Sequence, residues 1–370
     1  MKFSCEKYLI QQAVAIASRS TASKSPIPAL EGLLIEAGQS VKITGYDLKK
    51  GVYTSFSADV AEPGAIVLNA KLFGEIVRSL PDGIVNVSVD GMKTNISCGA
   101  SDFTVLGTDS GEYPELPAVD RQNAVSIPQS ILGKMIRQTI FAVSDNESRP
   151  VYTGALFDIK GGTLTIVAVD GYRLALRRES IDAGTAEDCT FIVPGSALTD
   201  AEKLCADAED PVEITVGTKH ISFVMGETVL VSRRLEGEFL NYNKSIPTQF
   251  AITARTDRDD FMRAVSRVSL VIDEKTKNPV RLSVTDETID LSCRTGIGNA
   301  DDQCAASVSG GAGLTIGFNN RYLLDALRAA PTDEIRLGLN TASSPAVILP
   351  GDESDNFAYM ILPVRLRANE

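Results

Sequence analysis

Apolar and polar positions along this chain fall into one pattern that occurs three times. "NAKLFGEIVRSLP" from Asn69, "PGSALTDAEKLCA" from Pro194 and "NNRYLLDALRAAP" from Asn319 begin 125 residues apart. Each reads as an amphipathic helix. Lys71, Glu75 and Arg78 stand at i, i+4 and i+7 and so share one face, as do Ser196, Asp200 and Lys203, then Arg321, Asp325 and Arg328. The opposite face is apolar in each copy: Leu72, Phe73, Ile76 and Leu80; Ala197, Leu198, Ala201 and Cys205; Tyr322, Leu323, Ala326 and Ala330.

The flanking segments keep the same period. After each helix an alternating strand is predicted, "VNVSV" from Val85, "VEITV" from Val212 and "IRLGL" from Ile335. Before it, "GLLIEAGQSVKITGYD", "GALFDIKGGTLTIVAVDGY" and "RLSVTDETIDLSCRTG" read as strand, turn, strand, turn, closing on Gly45, Gly171 and Gly296. Pro28, Pro150 and Pro279 precede these hairpins, and another helix precedes each proline, over 6–18, 129–143 and 258–272. Recurrence at a fixed interval marks repeated structural units. Strands outnumber helices and are joined by short turns, which gives an α+β fold of antiparallel sheets instead of βαβ alternation. Three repeated domains are expected, over 1–122, 123–249 and 250–370, with "GEYPELP" at 111 and "GEFLNYNKSIP" at 237 as linkers.

Composition narrows the class. The chain has 370 residues, 44% hydrophobic and 23% charged, with no long apolar run and no secretory N-terminus, so a soluble cytoplasmic protein is expected. Six cysteines without a CxxC pair suit buried, reduced thiols. The usual catalytic equipment is thin. His220 is the single histidine and sits in a hairpin-like stretch, so neither a histidine dyad nor a histidine metal cluster can form. "GGAGLTIG" at 310 lacks GxGxxG spacing and a lysine, and runs into a strand instead of opening a helix. The Asp170-Gly171 pair between apolar runs reads as a hairpin turn. No catalytic residue, metal or cofactor is expected.

The net charge of −12 argues against nucleic acid until the cations are placed. Lys71, Arg78, Lys203, Arg321 and Arg328 lie on the repeated helix face, and the preceding helices add Lys7, Arg19, Lys134, Arg137, Arg263 and Arg267. A solvated face accounts for any one of them; repetition allows six helices to turn cationic faces toward a common axis. A domain of this length has a radius of gyration of about 14 Å, so six in a ring leave a hole of roughly 35 Å, wider than a DNA duplex. Three would leave almost none. Two chains are therefore required, and such a ring could hold duplex DNA without reading its bases.

Several stretches carry a resemblance: "MKFSCEK", "IPALEGLLIE", "TGYDL", "EPGAIVLNAKLF", "IVAVDGYRLA", "FIVPGSAL", "IGFNNRYLLDAL" and "YMILPVRL". In order and over essentially its whole length, the chain resembles the bacterial DNA polymerase III beta subunit family, the sliding clamps. The resemblance implies a non-catalytic homodimeric ring, closed head to tail, placed on DNA by an ATP-driven clamp loader and tethering the replicative polymerase and other DNA enzymes. It implies a groove for short apolar peptide motifs at Tyr152, Val169, Gly171, Tyr172, Arg173, Leu174, Leu240 and Ser245. Asn319, Tyr322, Ser343, Pro345, Met360, Leu362, Pro363, Val364 and Arg365 would complete it. It also implies a dimer contact of Phe103 and Val105 with Leu270 and Val271, and DNA contacts at Lys24, Asn146 and Arg149. Leu240 stands where many members have proline, and Arg367 to Glu370 extend past the usual end.

Two alternatives stay open on the residues alone. One is a protein-binding repeat scaffold that does not encircle DNA; the other is an enzyme using the glycine loop at 310. Likewise the apolar Met360-Ile361-Leu362 run fits a binding groove or a simple edge strand.

Overall fold

The computed structural model describes residues 1–119, 124–181, 188–273, 278–352, 354 and 356–366. Seven helices are found among them: α1 (Lys7–Ala17), α2 (Ala70–Ser79), α3 (Gln129–Arg137), α4 (Gly195–Leu204), α5 (Tyr242–Ser245), α6 (Arg258–Val268) and α7 (Asn320–Ala329). Local chemistry sets their ends. Asn69 caps α2 by accepting from Leu72 N at 3.0 Å, Asp257 caps α6 through Asp260 N at 2.8 Å, and Asn319 caps α7 through Arg321 N at 2.9 Å. Pro81 and Pro331 follow α2 and α7 closely and disfavour a further turn. The earlier helices are shorter than periodicity predicts, because α1 and α6 pass into 3₁₀ turns at Ser18–Ser20 and Ser269–Val271.

Among the described residues all strand pairings are antiparallel, in four sheets. Their order shows how the repeats are joined. An eight-stranded sheet runs Val125–Pro128, Pro211–Val216, His220–Met225, Thr228–Arg233, Lys50–Phe56, Val41–Tyr46, Gly32–Ala37, Gly64–Asn69. Its first four strands come from the middle repeat and its last four from the first. The junction pairs Thr228 with Thr54 through to Ser232 with Lys50. A nine-stranded sheet is built in the same way from the middle and third repeats, joined where Arg173–Ser180 pairs with Phe357–Ile361. The run containing Met360 and Ile361 is thus no edge strand: Ala346–Pro350 flanks it on its other side.

By compactness the described chain forms two units, each built around one of these long sheets. The first comprises Met1–Gly133 and Thr199–Arg234; the second comprises Lys134–Ile181, Asp188–Leu198 and the residues from Leu235 onward. In the first unit α1 and α2 pack on a core that includes Phe3, Ile10, Val14, Leu33, Ile43, Phe73 and Val77. In the second α6 packs against α7. The expected boundary at 122/123 lies outside the described residues. That at 249/250 falls between α5 and the strand Ile252–Asp257.

Candidate functional site

The cations of the repeated helix faces differ in exposure and pairing. Lys71, Glu75 and Arg78 are all exposed, and with Arg19 they line a cleft of about 520 Å³ between α1 and α2. No acid lies within ion-pair reach of Lys71, Arg78, Lys203, Lys24 or Arg149 among the described residues. Lys134 and Arg137 on α3 are exposed, as are Asn146 and Arg149 in the following loop. Arg263 is paired with Asp260 at 2.5 Å, Arg267 with Asp302, and Arg328 with Asp325 at 3.5 Å; Arg321 is exposed at the start of α7. Lys7 departs from the expectation, because it reaches the Leu80 carbonyl and Asp82 at the end of α2.

Two acids of the repeated face have a second role. Asp200 on α4 is buried and ion-paired with Lys50, the first residue of its junction strand. Asp325 on α7 accepts from Arg173 Nη1 at 2.6 Å, again at the start of a junction strand. Arg173 is held on every side: its Nε donates to Asp170 at 2.9 Å, and its guanidinium lies 4.6 Å from the Tyr322 ring and 5.3 Å from that of Phe141. Arg173→Ala would leave Asp170 with only its backbone donors and Asp325 with only the longer contact to Arg328, and a loss of about 2 kcal/mol in stability is expected. A lower urea midpoint at unchanged m would report it. Arg173→Lys should recover only part, because an ammonium cannot replace the fork.

The opposite face of the same junction is apolar. Asp170 Oδ1 accepts from Tyr172 N at 2.8 Å and Arg173 N at 3.0 Å, and Gly171 takes a φ of +94°, so the turn predicted from Asp-Gly forms. Beyond it Val169, Leu174 and Met360 are buried in one cluster with Leu176, Val347 and Tyr242, and Tyr152, Phe239 and Leu240 pack against it. Tyr152 and Phe239 meet edge to face at 5.5 Å. Tyr172 is 62% exposed and stacks on Tyr322 at 6.2 Å. The tail is tied down by its backbone: Leu362 N donates to the Tyr172 carbonyl and Val364 N to that of Gly317, both at 2.8 Å. Leu362 and Pro363 are half-buried; Val364 and Arg365 are exposed. Ser245 at the end of α5 is half-buried with its hydroxyl on the Asn241 carbonyl, while Ser343 is exposed and Pro345 half-buried. Asn319 is occupied as the cap of α7. Arg367 to Glu370 lie outside the described residues.

Family models for the DNA polymerase III beta subunit match nearly all of this frame: the N-terminal domain at 1–117, the central domain at 126–241 and the C-terminal domain at 243–365. The chain belongs to this family. It is 32% identical over 378 residues to the beta sliding clamp of Bacillus subtilis (strain 168), covering 99% of this chain and 100% of that protein. The beta sliding clamp of Staphylococcus aureus (strain Mu50) is 31% identical, covering 94% of each. Among solved structures, the DNA polymerase sliding clamp from Bacillus subtilis superposes with a TM-score of 0.95 at 31% identity, covering 99% of this chain and 100% of that one. The DNA polymerase III subunit beta from Pseudomonas aeruginosa gives 0.93 at 27%, with the same coverage.

The dimer residues implied by this family lie at two open sheet edges. Phe103 and Val105 are on Ser101–Leu106, the edge of a five-stranded sheet, half-buried against the first unit's core. Leu106, which the sequence did not single out, is 74% exposed there. Leu270 is 82% exposed and Val271 half-buried. They adjoin Gly298–Ala305, the edge of a four-stranded sheet, where Ile297 is 74% exposed. Large apolar side chains beside an unpaired edge invite another strand, and proteins that stay monomeric protect such edges.

Proposed function

We propose that two copies of this chain close head to tail into a ring around duplex DNA, acting as the sliding clamp that keeps the replicative polymerase on its template. One observation carries the proposal. Twice within the chain the last strand of one repeat pairs with the strand of a neighbouring repeat that follows its hairpin turn, Thr228–Arg233 with Lys50–Phe56 and Phe357–Ile361 with Arg173–Ser180. The equivalent remaining pair is Ser101–Leu106 and Gly298–Ala305, and each is an open edge. A partner copy supplies the missing strand at both ends, which is the heterologous contact that closes a ring.

Within the ring, Lys24, Lys71, Arg78, Lys134, Arg137, Asn146, Arg149, Lys203, Arg263, Arg267, Arg321 and Arg328 meet phosphates without reading sequence. The role is that of a tether; no bond is made or broken. The turn at Gly171, the apolar cluster beneath it and the tail from Met360 to Arg365 accept short apolar motifs of the polymerase, the clamp loader and other DNA proteins. The acidic exterior disfavours DNA elsewhere on the surface.

Affinity for linear duplex should be weak, with log K falling by about 0.9 per phosphate neutralised for each decade of salt. Clamps placed on nicked circular DNA should outlast salt that dissolves the linear complex, and linearising the circle should release them. Equal salt sensitivity on both forms would leave the scaffold alternative in place of encirclement.

A further inference from the structure

The two strand junctions inside the chain share one register, and it extends to the open edges Ser101–Leu106 and Gly298–Ala305. Thr228, the first residue after the Gly226-Glu227 turn, pairs with Thr54, the fifth residue of Lys50–Phe56. Phe357, the first residue of its strand, likewise pairs with Arg177, the fifth residue of Arg173–Ser180. Ser101 follows the Gly99-Ala100 turn as Thr228 follows its own, and the fifth residue of Gly298–Ala305 is Asp302. Counting on from that pair sets Val105 across from Gly298 and Leu106 across from Ile297.

Exposure and main-chain geometry agree with this register. Ser101, Phe103 and Val105 are half-buried, as are Asp302, Ala300 and Gly298, while the residues between them are exposed on both edges. Leu106 and Ile297, each 74% exposed, thereby meet on one face. At the internal junctions Arg233 donates its N–H to the Lys49 carbonyl at 2.9 Å, and Leu362 to the Tyr172 carbonyl at 2.8 Å. Leu106 and Ile297 stand in the corresponding places. Because Gly107 N bonds back to the Met92 carbonyl at 2.8 Å, alternation turns the Leu106 N–H toward the open side of its strand.

The side chains that fasten the junctions differ. Each internal one carries an ion pair between the first residue of a strand and an acid on a helix, Lys50 with Asp200 and Arg173 with Asp325. The corresponding residues at the open edges are Gly298 and Glu75, and Glu75 is exposed with no ion-pair partner among the described residues. Asp102 falls across from Asp301, and each is bonded within its own copy, to Asn95 at 2.8 Å and to Arg294 at 2.5 Å. We infer that the joint between two copies is fastened by an apolar clasp, Leu106 of one copy against Ile297 of the second, where the junctions inside the chain use an ion pair. The inference rests on the proposed head-to-tail closure and adds to it a register and an anchor.

Cysteines at both clasp positions test the register, because hydrogen-bonded partners across antiparallel strands lie about 5.5 Å apart, within disulfide reach. Oxidised with copper phenanthroline, full-length Leu106→Cys with Ile297→Cys should give a covalent dimer on non-reducing gels. The parent should not, since its six free cysteines are all buried or half-buried. Preferential cross-linking of Thr104→Cys with Ile297→Cys, a slip of two residues, overturns the register. By sedimentation, Ile297→Ser should weaken the dimer about tenfold without unfolding the exposed site. Gly298→Arg should tighten it several-fold by giving Glu75 a partner, and adding Glu75→Gln should cancel that gain. A dimer that keeps its affinity in Ile297→Ser, or gains none in Gly298→Arg, overturns the clasp while the closure stands. A parent that is monomeric at every concentration removes the closure, and the clasp with it.

Discussion

Leu270→Ala with Val271→Ala is expected to turn the dimer into a folded monomer. Leu270 is 82% exposed in the isolated chain, so its removal leaves no core cavity, and the domain should keep its stability. At an interface the same side chain is an apolar anchor beside an open strand edge, worth about 2 kcal/mol when truncated. A closed ring has two identical contacts, so the loss is felt twice, about 4 kcal/mol and roughly a thousandfold in dimer affinity. Sedimentation should show half the dimer mass, with the circular dichroism and urea midpoint of the parent. Retention on circular DNA should vanish with the dimer. If Leu106→Lys at the opposite edge leaves the dimer unaffected, the strand-to-strand closure is wrong even where the double alanine succeeds. A double-alanine protein that unfolds would instead mean that the half-buried Val271 supports the domain's own fold and that the pair does not act only at the interface.

The architecture was legible because the chain writes it three times. Helix faces and hairpin turns recur at one interval, and repetition cancels the ambiguity of any single short segment; the glycine expectation fails in the first repeat, where Gly45 lies inside the strand Val41–Tyr46 and Leu48 takes the positive φ of the turn. Tertiary partners left no such mark. Periodicity puts Leu72 on the apolar face of α2, yet it is 46% exposed and Val77 takes the core place, since helical period alone does not say where the buried stripe is centred. Asp200 and Asp325 read as solvated acids between cations, because their partners, Lys50 and Arg173, are 150 and 152 residues away. The same distance in sequence hid the floor of the groove. Leu176, Val347 and Tyr242 carry only the signature of core residues, and nothing local distinguishes a core that meets a cleft from one that does not. Leu106 and Ile297 were missed for a related reason: an exposed apolar residue shows only once the sheet order reveals an edge.

Removing residues 362–370 should abolish binding of an apolar motif peptide to the second unit while leaving the dimer whole. Met360 and Ile361 remain after the cut, each paired with Leu174 or Arg173 on one side and with Val347 or Ala346 on the other, so the nine-stranded sheet persists. What disappears is one wall: Leu362 on the Tyr172 carbonyl, then Pro363, then Val364 on the Gly317 carbonyl. Both carbonyls turn to water at little cost. The peptide loses the surface that buries its apolar anchor, at about 25 cal/mol per Å², from a total already reduced by the entropy of ordering a flexible chain. Starting from near-micromolar affinity, a loss of about 2 kcal/mol or more takes binding out of the working range. The dimer edges, Ser101–Leu106 and Gly298–Ala305, are untouched by the cut, so sedimentation should still report a dimer. Removing only Arg367 to Glu370 should change peptide affinity far less, because Leu362 to Val364 keep their ties. Fluorescence anisotropy with a labelled motif peptide distinguishes the three proteins, and a full truncation that binds as the parent does would place the peptide site elsewhere.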